Sequence, residues 1–252
     1  MRPIVTLLTD FGTADGYVAE LKGVLLSHAS ATTIVDVTHD IPVHDVESGR
    51  LALARYWRRF PTGTVHVAVV DPGVGGSRAA LAVESDGRFL VGPDNGLLSP
   101  ALLVAGARAV RLPVDARSAP TFHGRDVFAP AAARLATGTP LDALGEPVDE
   151  PVVRRTPEAR RLPDGGIEGT VIAVDRFGNA ITNLLTALGG AVEVEGRTLP
   201  LRRVYEDVEP GAALALVGSN GLVEIAVRDG SAAERLGLRR GARVVLRPGA
   251  RR

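Results

Sequence analysis

The spacing of hydrophobic and polar positions changes partway along the chain. Up to about residue 145, short β-branched runs such as IVTLLTD and GTVHVAVVD alternate with longer segments such as DGYVAELKGVLLSHA, whose apolar residues recur at helical spacing. Strands that alternate with helices in this way predict βαβ units and a mainly parallel sheet. We therefore expect an α/β domain over residues 1–150.

The rest of the chain follows a different pattern. Residues 151–166 contain several prolines and arginines without apolar periodicity, which predicts a linker. Residues 167–252 are expected to form a smaller all-β domain, a sandwich or a barrel, because short apolar segments separated by turn residues are typical of such folds. These segments are IEGTVIAVD, GNAITNL, AVEVEG, RTLPLRRV, ALALVGS, LVEIAVRDG and ARVVLRPG.

The composition excludes several kinds of partner and site. Lys+Arg and Asp+Glu both total 29, so no net basic field exists to attract nucleic acid or an anionic membrane. The absence of cysteine excludes disulfides, cysteine nucleophiles and thiolate zinc sites. The first apolar run is interrupted at Thr6 and reaches an acid at Asp10, which is too short for a signal sequence or a membrane span. We expect a cytoplasmic protein.

Three acids follow apolar runs in the first domain, namely Asp10, Asp71 and Asp94. Ligands of parallel sheets bind beyond the carboxyl ends of the strands, so these acids are candidate site residues. Aspartate also caps helices and forms turns, which explains the same positions without a function.

The stretch VVDPGVGGSR, residues 69–78, places glycines directly after a strand. It lacks the lysine of a P-loop, it has Arg78 where a dinucleotide-binding loop needs its third glycine, and it leads into another strand rather than a helix. A phosphate site is therefore disfavoured. The turn instead brings Asp71 and Arg78 together, either as a structural ion pair or as part of a reactive group.

An Asp-Arg ion pair has no proton-transfer role near neutral pH, so a reactive group would need a third member. Histidines are candidates for that member. His123 in TFHGRDVFAP precedes a predicted helix, where it either serves as a general base or packs structurally. His39 and His44 in VTHDIPVHD lie beside acids, which raises the alternative of a metal site. Pro42 and the lack of an i, i+4 register weigh against that alternative.

The second domain contributes amides, hydroxyls and an aromatic ring. VDRFGNAITN carries Asp175, Phe177 and Asn179, and LVGSNGLVEIAV carries Ser219 and Glu224. Such groups suit a purine, whose edge forms hydrogen bonds and whose face stacks. Hairpin turns use the same residues for purely local reasons, so both interpretations stand.

Seven segments, taken in order, resemble one family. The resemblance covers both predicted domains, from about residue 4 to residue 230, and is to the S-adenosyl-L-methionine (SAM) hydrolases, also called SAM hydroxide adenosyltransferases, which are related to fluorinating and chlorinating enzymes. It implies hydrolysis of SAM to adenosine and L-methionine, with SAM as substrate and neither a metal nor another cofactor. The segments are TLLTDFGTADGYVAELKGVL, VDVTHDIPVHDV, VHVAVVDPGVGGSR, FLVGPDNGLL, TFHGRDVFAPAAARLA, VIAVDRFGNAITN and GSNGLVEIAV.

The resemblance also implies roles for individual residues. Asp71, Arg78 and His123 match the family's Asp-Arg-His set, which activates the water that attacks ribose C5′, with either His123 or Asp71 as the proton acceptor. Asp10 would bind the ribose diol. The remaining contacts fall in the second domain, with Asn179, Glu224 and Val227 near adenine, Phe177 or Tyr205 stacked on it, and Asp175 and Ser219 at the methionine end.

The family is trimeric, and the resemblance implies a homotrimer whose sites lie between the first domain of one subunit and the second domain of its neighbour. A SAM-dependent halogenase is an alternative, disfavoured because halogenating relatives lack the Asp-Arg-His set. A protein that binds adenosine or SAM without turnover is a second alternative. A third is a metal-dependent hydrolase acting through Asp10, His39, Asp71 and Asp94, whose spacing lacks a ligand pattern.

Overall fold

The computed structural model describes residues 2–186 and 190–249. The chain divides into two compact units, the first ending at Arg155 and the second beginning at Thr156. This boundary falls inside the segment 151–166, which the sequence predicts as a linker. Within the described ranges, no helix combines the length and the hydropathy that crossing a membrane requires.

The first unit is an α/β domain, as the sequence predicts. A π-helical turn at Gly124–Phe128 leads directly into its last helix. Its strands and α-helices, in chain order, are β1 Ile4–Thr9, α1 Tyr17–His28, β2 Thr33–Thr38, α2 Val46–Tyr56, β3 Val65–Val69, β4 Ala80–Ser85, β5 Arg88–Pro93, α3 Ser99–Leu102, β6 Arg108–Arg111, α4 Ala129–Ala136 and β7 Glu146–Pro147.

The sheet of this unit is mixed, so the prediction of a mainly parallel sheet is wrong. Its strand order is β2-β1-β3-β5-β4-β6-β7, with parallel pairing from β2 to β5 and antiparallel pairing from β5 to β7. The change of direction begins at the β4–β5 hairpin. Its turn residues Asp86 and Gly87 both have positive φ, 50° and 68°, the conformation that a tight two-residue hairpin requires.

Side chains that alternate along the strands bury two cores, one on each face of the sheet. Val5 and Leu7 of β1 pack with α1 and α4 on one face, while Leu8 packs with α2 and α3 on the other. Because helices cover both faces, a ligand can approach the sheet at the ends of its strands.

The second unit confirms the barrel among the two predicted all-β alternatives. Its elements, in chain order, are β8 Arg160–Arg161, β9 Ile167–Val174, β10 Ala180–Leu185, β11 Gly190–Val194, β12 Arg197–Arg202, β13 Ala213–Val217, β14 Leu222–Val227, α5 Ala232–Leu236 and β15 Arg243–Pro248. Seven strands pair in the order β10-β14-β13-β12-β11-β15-β9, and β9 pairs with β10 to close the ring. The short helix α5, absent from the sequence prediction, is capped by Ser231 and Gly237.

One histidine is buried within the sheet of the first unit. His66 on β3 is fully buried, with its Nδ1 atom 2.7 Å from Thr6 Oγ1 and the rings of Tyr56 and Phe60 packed edge-on against it. Burial, together with the positive charge of Arg88, lowers the pKa of His66 to about 4. The imidazole is therefore neutral in the folded protein at pH 7.

We expect this histidine to make the protein sensitive to acid. The unfolded chain takes up the proton near the ordinary histidine pKa of about 6.5, so the stabilisation is complete above that pH and is lost as the pH falls towards 4. The loss corresponds to about 3 kcal/mol of unfolding free energy. Urea unfolding at pH 7, 5.5 and 4 should show this extra loss in the wild type relative to His66→Gln. Parallel pH profiles for the two proteins would contradict the assignment.

Candidate active site

A buried ion pair lies at the carboxyl end of β3. Asp71 follows this strand, and Arg78 returns to it across the glycine-rich turn. Arg78 Nε donates to Asp71 Oδ1 at 3.0 Å, and Arg78 Nη2 donates to Asp71 Oδ2. Their side chains are only 5% exposed for Asp71 and 10% for Arg78. The pair is thus a desolvated, bidentate contact rather than a surface salt bridge.

The glycines of the loop allow the chain to double back. Val74 N–H donates to the Asp71 carbonyl at 3.2 Å, and Gly76 N–H donates to the Gly73 carbonyl at 3.1 Å. Gly75 has a φ of +74°, and a Cβ atom at this position would collide with the Pro120 carbonyl oxygen. Glycine is therefore required both by the left-handed backbone and by close packing against the segment that leads to His123.

His123 completes the group. Its Nδ1 atom lies 2.9 Å from Arg78 Nη2. Because a guanidinium always donates, Nδ1 must accept, and the neutral ring carries its proton on Nε2. Burial, with the charge of Arg78, lowers the pKa of His123 below its ordinary value and keeps the ring neutral near pH 7. The structure therefore brings Asp71, Arg78 and His123 together in one hydrogen-bonded network.

A cavity of about 270 Å³ opens beside this network. Asp71, His123 and Asp10 all line it. Asp10 follows β1, and its Oδ2 atom accepts the backbone N–H of His44 at 2.9 Å. His44 has a φ of 65°, a left-handed conformation that is uncommon outside glycine. The carboxyl ends of β1 and β3 thus contribute acids to the same cavity.

Sequence reasoning missed three aromatic rings at this cavity. Phe11, Tyr17 and Phe122 pack edge to face, with ring centroids 5.3 to 6.4 Å apart, and all three line the cavity. Only 4% of the chain is aromatic, and two of these rings are the immediate neighbours of Asp10 and His123. Their position next to Asp10 and His123 is the sequence feature that could have identified them.

Asp94, the third candidate acid, is used elsewhere in the unit. Its Oδ1 atom accepts the backbone N–H of Val152 at 2.8 Å, and it does not line the cavity. Its neighbour Asn95 donates from Nδ2 to the Val70 carbonyl at 2.9 Å, which braces the backbone just before Asp71. Asp94 therefore fastens a chain segment rather than facing the cavity.

The acids and histidines do not assemble into a metal-binding group. Among residues 2–186 and 190–249, no cluster of three or more His, Asp or Glu side chains has a geometry that could hold a metal ion. The ring nitrogens of His39 contact Thr9 and Asp36 at 2.8 and 3.1 Å. The predicted alternative of a metal site built on Asp10, His39, Asp71 and Asp94 thus receives no support.

The second unit gathers some of the predicted purine contacts. Asn179 is buried, and its Nδ2 atom donates to Asp175 Oδ2 at 3.0 Å and lies 3.4 Å from the Tyr205 hydroxyl. Burial, with the charges of Glu224 and Asp175, raises the pKa of Tyr205. Phe177 lies on the adjacent turn and is 77% exposed, so its predicted stacking on a ligand is sterically open.

The remaining predicted contacts lie on or near the β13–β14 hairpin. Ser219 is exposed on its turn, and Glu224 is buried with its carboxylate against the backbone of Gly218. The side chain of Val227 packs in the core of the barrel. A ligand contact at Val227 would therefore come from its backbone, and the roles of all three residues stay predictions.

Both units match family models. Residues 5–145 match the SAM hydroxide adenosyltransferase N-terminal domain, and residues 169–245 match the corresponding C-terminal domain. An (R)-S-adenosyl-L-methionine hydrolase from Thermus thermophilus is 46% identical over 98% of this chain and 100% of its own length. A fluorinase from Actinopolyspora mzabensis is 31% identical over 96% of each chain. The crystal structure of an uncharacterized conserved protein from Thermotoga maritima, 30% identical, superposes with a TM-score of 0.88 over 96% of this chain and 99% of that one.

Proposed function

The chain belongs to the SAM hydroxide adenosyltransferase family, and from that membership we propose that it hydrolyses SAM to adenosine and L-methionine. The observation that carries the proposal is the buried network of Asp71, Arg78 and His123 beside a cavity that also contains Asp10. The network offers an anion, a cation and a neutral imidazole at one point, which is what the activation of a water molecule requires.

The chemistry of SAM explains why a base is needed and an acid is not. Water attacks ribose C5′, the C5′–S bond breaks, and its electron pair returns to sulfur, so the sulfonium leaves as the neutral thioether of methionine. The leaving group takes up no proton. The attacking water must lose one, and a positioned base accelerates that loss by about 10²- to 10⁴-fold.

We assign the proton acceptor to Asp71. His123 accepts from Arg78 at Nδ1 and carries its proton on Nε2, so this tautomer can donate to a water oxygen but cannot take its proton. Asp71 is the anionic member of the network, and each of its oxygens keeps a lone pair beyond its bond to Arg78. In this arrangement Arg78 holds the carboxylate, and His123 orients the water.

The same network separates hydrolysis from halogenation and from simple binding. A halide ion has no proton to lose, and a neighbouring carboxylate would repel it. Binding adenosine without turnover would require the ribose and adenine contacts but no buried Asp-Arg-His network. The greater identity to the hydrolase, 46% against 31% for the fluorinase, agrees with water as the nucleophile.

The names of the relatives suggest which SAM epimer is the substrate. We propose that this chain, like its (R)-SAM hydrolase relatives, acts on the R configuration at sulfur and needs no metal. Incubation of the purified protein with each separated epimer, with and without a chelator, should release adenosine and methionine mainly from the R epimer at an unchanged rate in chelator. Failure of the folded protein to release adenosine from either epimer would refute the proposal.

The proposed assembly is a homotrimer with sites shared between subunits. The 270 Å³ cavity of the first unit is smaller than typical ligand pockets, which span about 300 to 1,000 Å³, and the predicted adenine contacts lie in the second unit. A neighbouring subunit would complete such a half-site. Light scattering should give three times the 26.3 kDa chain mass. A monomer with full activity would contradict this assembly.

The pH dependence of activity should follow His123. Because burial and Arg78 lower the pKa of this histidine, the neutral ring persists at pH values where an ordinary histidine is half protonated. Protonation would place an N–H on Nδ1 against the Arg78 donor and break the network. We expect the acid-side decline of kcat/KM to have its midpoint below about pH 6.5, the ordinary histidine pKa. A decline already centred near pH 7, or one unchanged in His123→Asn, would contradict this role.

A further inference from the structure

A hydrogen-bonded chain of four side chains runs from the surface of helix α1 to Thr9, next to Asp10. Lys22 Nζ donates to Asp36 Oδ2 at 2.5 Å, and the other oxygen of Asp36 lies 3.1 Å from His39 Nε2. His39 Nδ1 lies 2.8 Å from Thr9 Oγ1, which accepts the backbone N–H of Phe11 at 3.2 Å. The chain therefore ends on the turn that carries Asp10.

An irregularity in strand β2 makes this chain possible. Leu7 of β1 pairs with Asp36, but Leu8 pairs with Thr38, so Val37 is an extra residue in the ladder. In a regular strand Asp36 and His39 would point to opposite faces, because side chains alternate with a period of two. The extra residue places both on the same face and aims His39 at Thr9. Such bulges are frequent beside active sites, where they redirect a side chain.

The partner atoms indicate which group donates in each of these side-chain hydrogen bonds. Although burial opposes it, the hydrogen bonds from Lys22 and His39 hold the pKa of Asp36 below its ordinary value, so this carboxylate only accepts. In the neutral ring, His39 therefore donates from Nε2, and its Nδ1 accepts from the Thr9 hydroxyl. That leaves a lone pair of Thr9 Oγ1 for the Phe11 N–H. His39 and Thr9 are both buried, at 5% and 1% exposure, so each of these bonds is costly to lose.

The segment containing His39 holds the Asp10 turn at two further points. The Gly12 N–H donates to the His39 carbonyl at 2.8 Å, and the His44 N–H donates to Asp10 Oδ2 at 2.9 Å. The backbone on both sides of Asp10 and one of its carboxylate oxygens are therefore fixed by residues 39–44. The second oxygen, Oδ1, has no hydrogen-bond partner among the described residues and can accept from a ligand.

We propose that Thr9 and His39 are positioning residues, which hold the Asp10 carboxylate in the orientation that binds the ribose diol of the nucleoside. This inference rests on the proposed function, in which the substrate carries that diol. Neither residue lines the cavity, so both act through the Asp10 turn rather than by touching the substrate.

Binding of two nucleosides separates positioning from a general structural role. Isothermal titration measures the affinity of adenosine and of 2′,3′-dideoxyadenosine, which lacks the diol, for wild type, Thr9→Val and Thr9→Ser. Valine keeps the shape of threonine and removes the hydroxyl, whereas serine keeps the hydroxyl. We expect Thr9→Val to weaken adenosine binding by about tenfold, to leave dideoxyadenosine within about twofold, and Thr9→Ser to retain the wild-type preference.

The exposed end of the chain provides a second variant. The side chain of Asp36 is 44% exposed, so Asp36→Asn should fold, and we expect it to reduce the preference for adenosine by about threefold. If Thr9→Val does not fold, the ratio of the adenosine affinity to the dideoxyadenosine affinity of Asp36→Asn tests the inference in its place. The inference is overturned if a variant binds both nucleosides equally more weakly. It is also overturned if Thr9→Val, which lacks the hydroxyl, keeps the wild-type preference for adenosine. A wild type that binds neither nucleoside and releases no adenosine from SAM would instead refute the proposed function.

Discussion

Arg78→Ala is expected to lower kcat for SAM hydrolysis by at least about 100-fold while leaving the affinity for adenosine within a few-fold of wild type. Arg78 donates to both oxygens of Asp71 and to His123, so its removal takes away the contact that joins the two groups. Asp10, which we propose as the ribose-binding acid, is not bonded to Arg78, which is why binding should survive. Product formation measured by chromatography gives kcat and KM, and titration gives the adenosine affinity.

Two further arginine variants make this test specific. Arg78→Lys should also be strongly impaired, because an ammonium cannot reproduce the bidentate fork on Asp71. Arg117→Ala is the matched control, since Arg117 forms a similar bidentate pair with Asp115 at 3.0 Å but is 91% exposed and outside the cavity. It should be as active as wild type. Retention of more than about a tenth of wild-type kcat in Arg78→Ala would contradict the proposed role.

Asp71→Asn is expected to have the largest effect, a loss in kcat of about 10³- to 10⁴-fold. Asparagine has nearly the same shape as aspartate, but it cannot accept the proton that the attacking water must lose. It also leaves the buried Arg78 guanidinium without its counter-charge. The rate of adenosine release over a long incubation, with folding checked by circular dichroism, measures the effect.

The comparison with His123 identifies the proton acceptor. If Asp71 takes the proton and His123 only orients the water, His123→Asn should lose about 10- to 100-fold and thus less than Asp71→Asn. The reverse order would assign the proton to His123. Asp94→Asn is the control, because within the described part of the chain the Asp94 carboxylate accepts only the backbone N–H of Val152, and asparagine keeps that acceptor. Its kcat should stay within about twofold of wild type.

The strands and main helices could be predicted because their signals are local. Short β-branched runs predicted strands such as β1 and β3, whereas the positive-φ turn at Asp86 and Gly87 joins β4 to β5 in a hairpin. Strand direction within the sheet is not a local property. The hairpin itself forces β4 to run antiparallel to β5, and the four-residue strand β6 was too short to show a pattern. The prediction of a mainly parallel sheet was wrong for that reason.

The candidate site shows the same division between local and tertiary information. The glycine turn predicted that Asp71 and Arg78 would meet, because only seven residues separate them. The contact with His123, 45 residues beyond Arg78, depends on how two loops pack. Asp94 resembled Asp10 and Asp71 in sequence, yet its carboxylate binds a distant backbone N–H. The contact of His39 with Thr9 depends on a bulge that no sequence pattern indicated.

Attack of water on ribose C5′, with Asp71 as the proton acceptor, is tested most directly by isotope labelling. (R)-SAM is hydrolysed in H₂¹⁸O containing chloride, and both products are examined by mass spectrometry. We expect adenosine with one ¹⁸O atom at its 5′-hydroxyl, unlabelled methionine and no 5′-chloro nucleoside, with the rate of product formation lowered about 10³- to 10⁴-fold in Asp71→Asn. Unlabelled adenosine, a chlorinated product, or full labelling and rate in Asp71→Asn would contradict this mechanism.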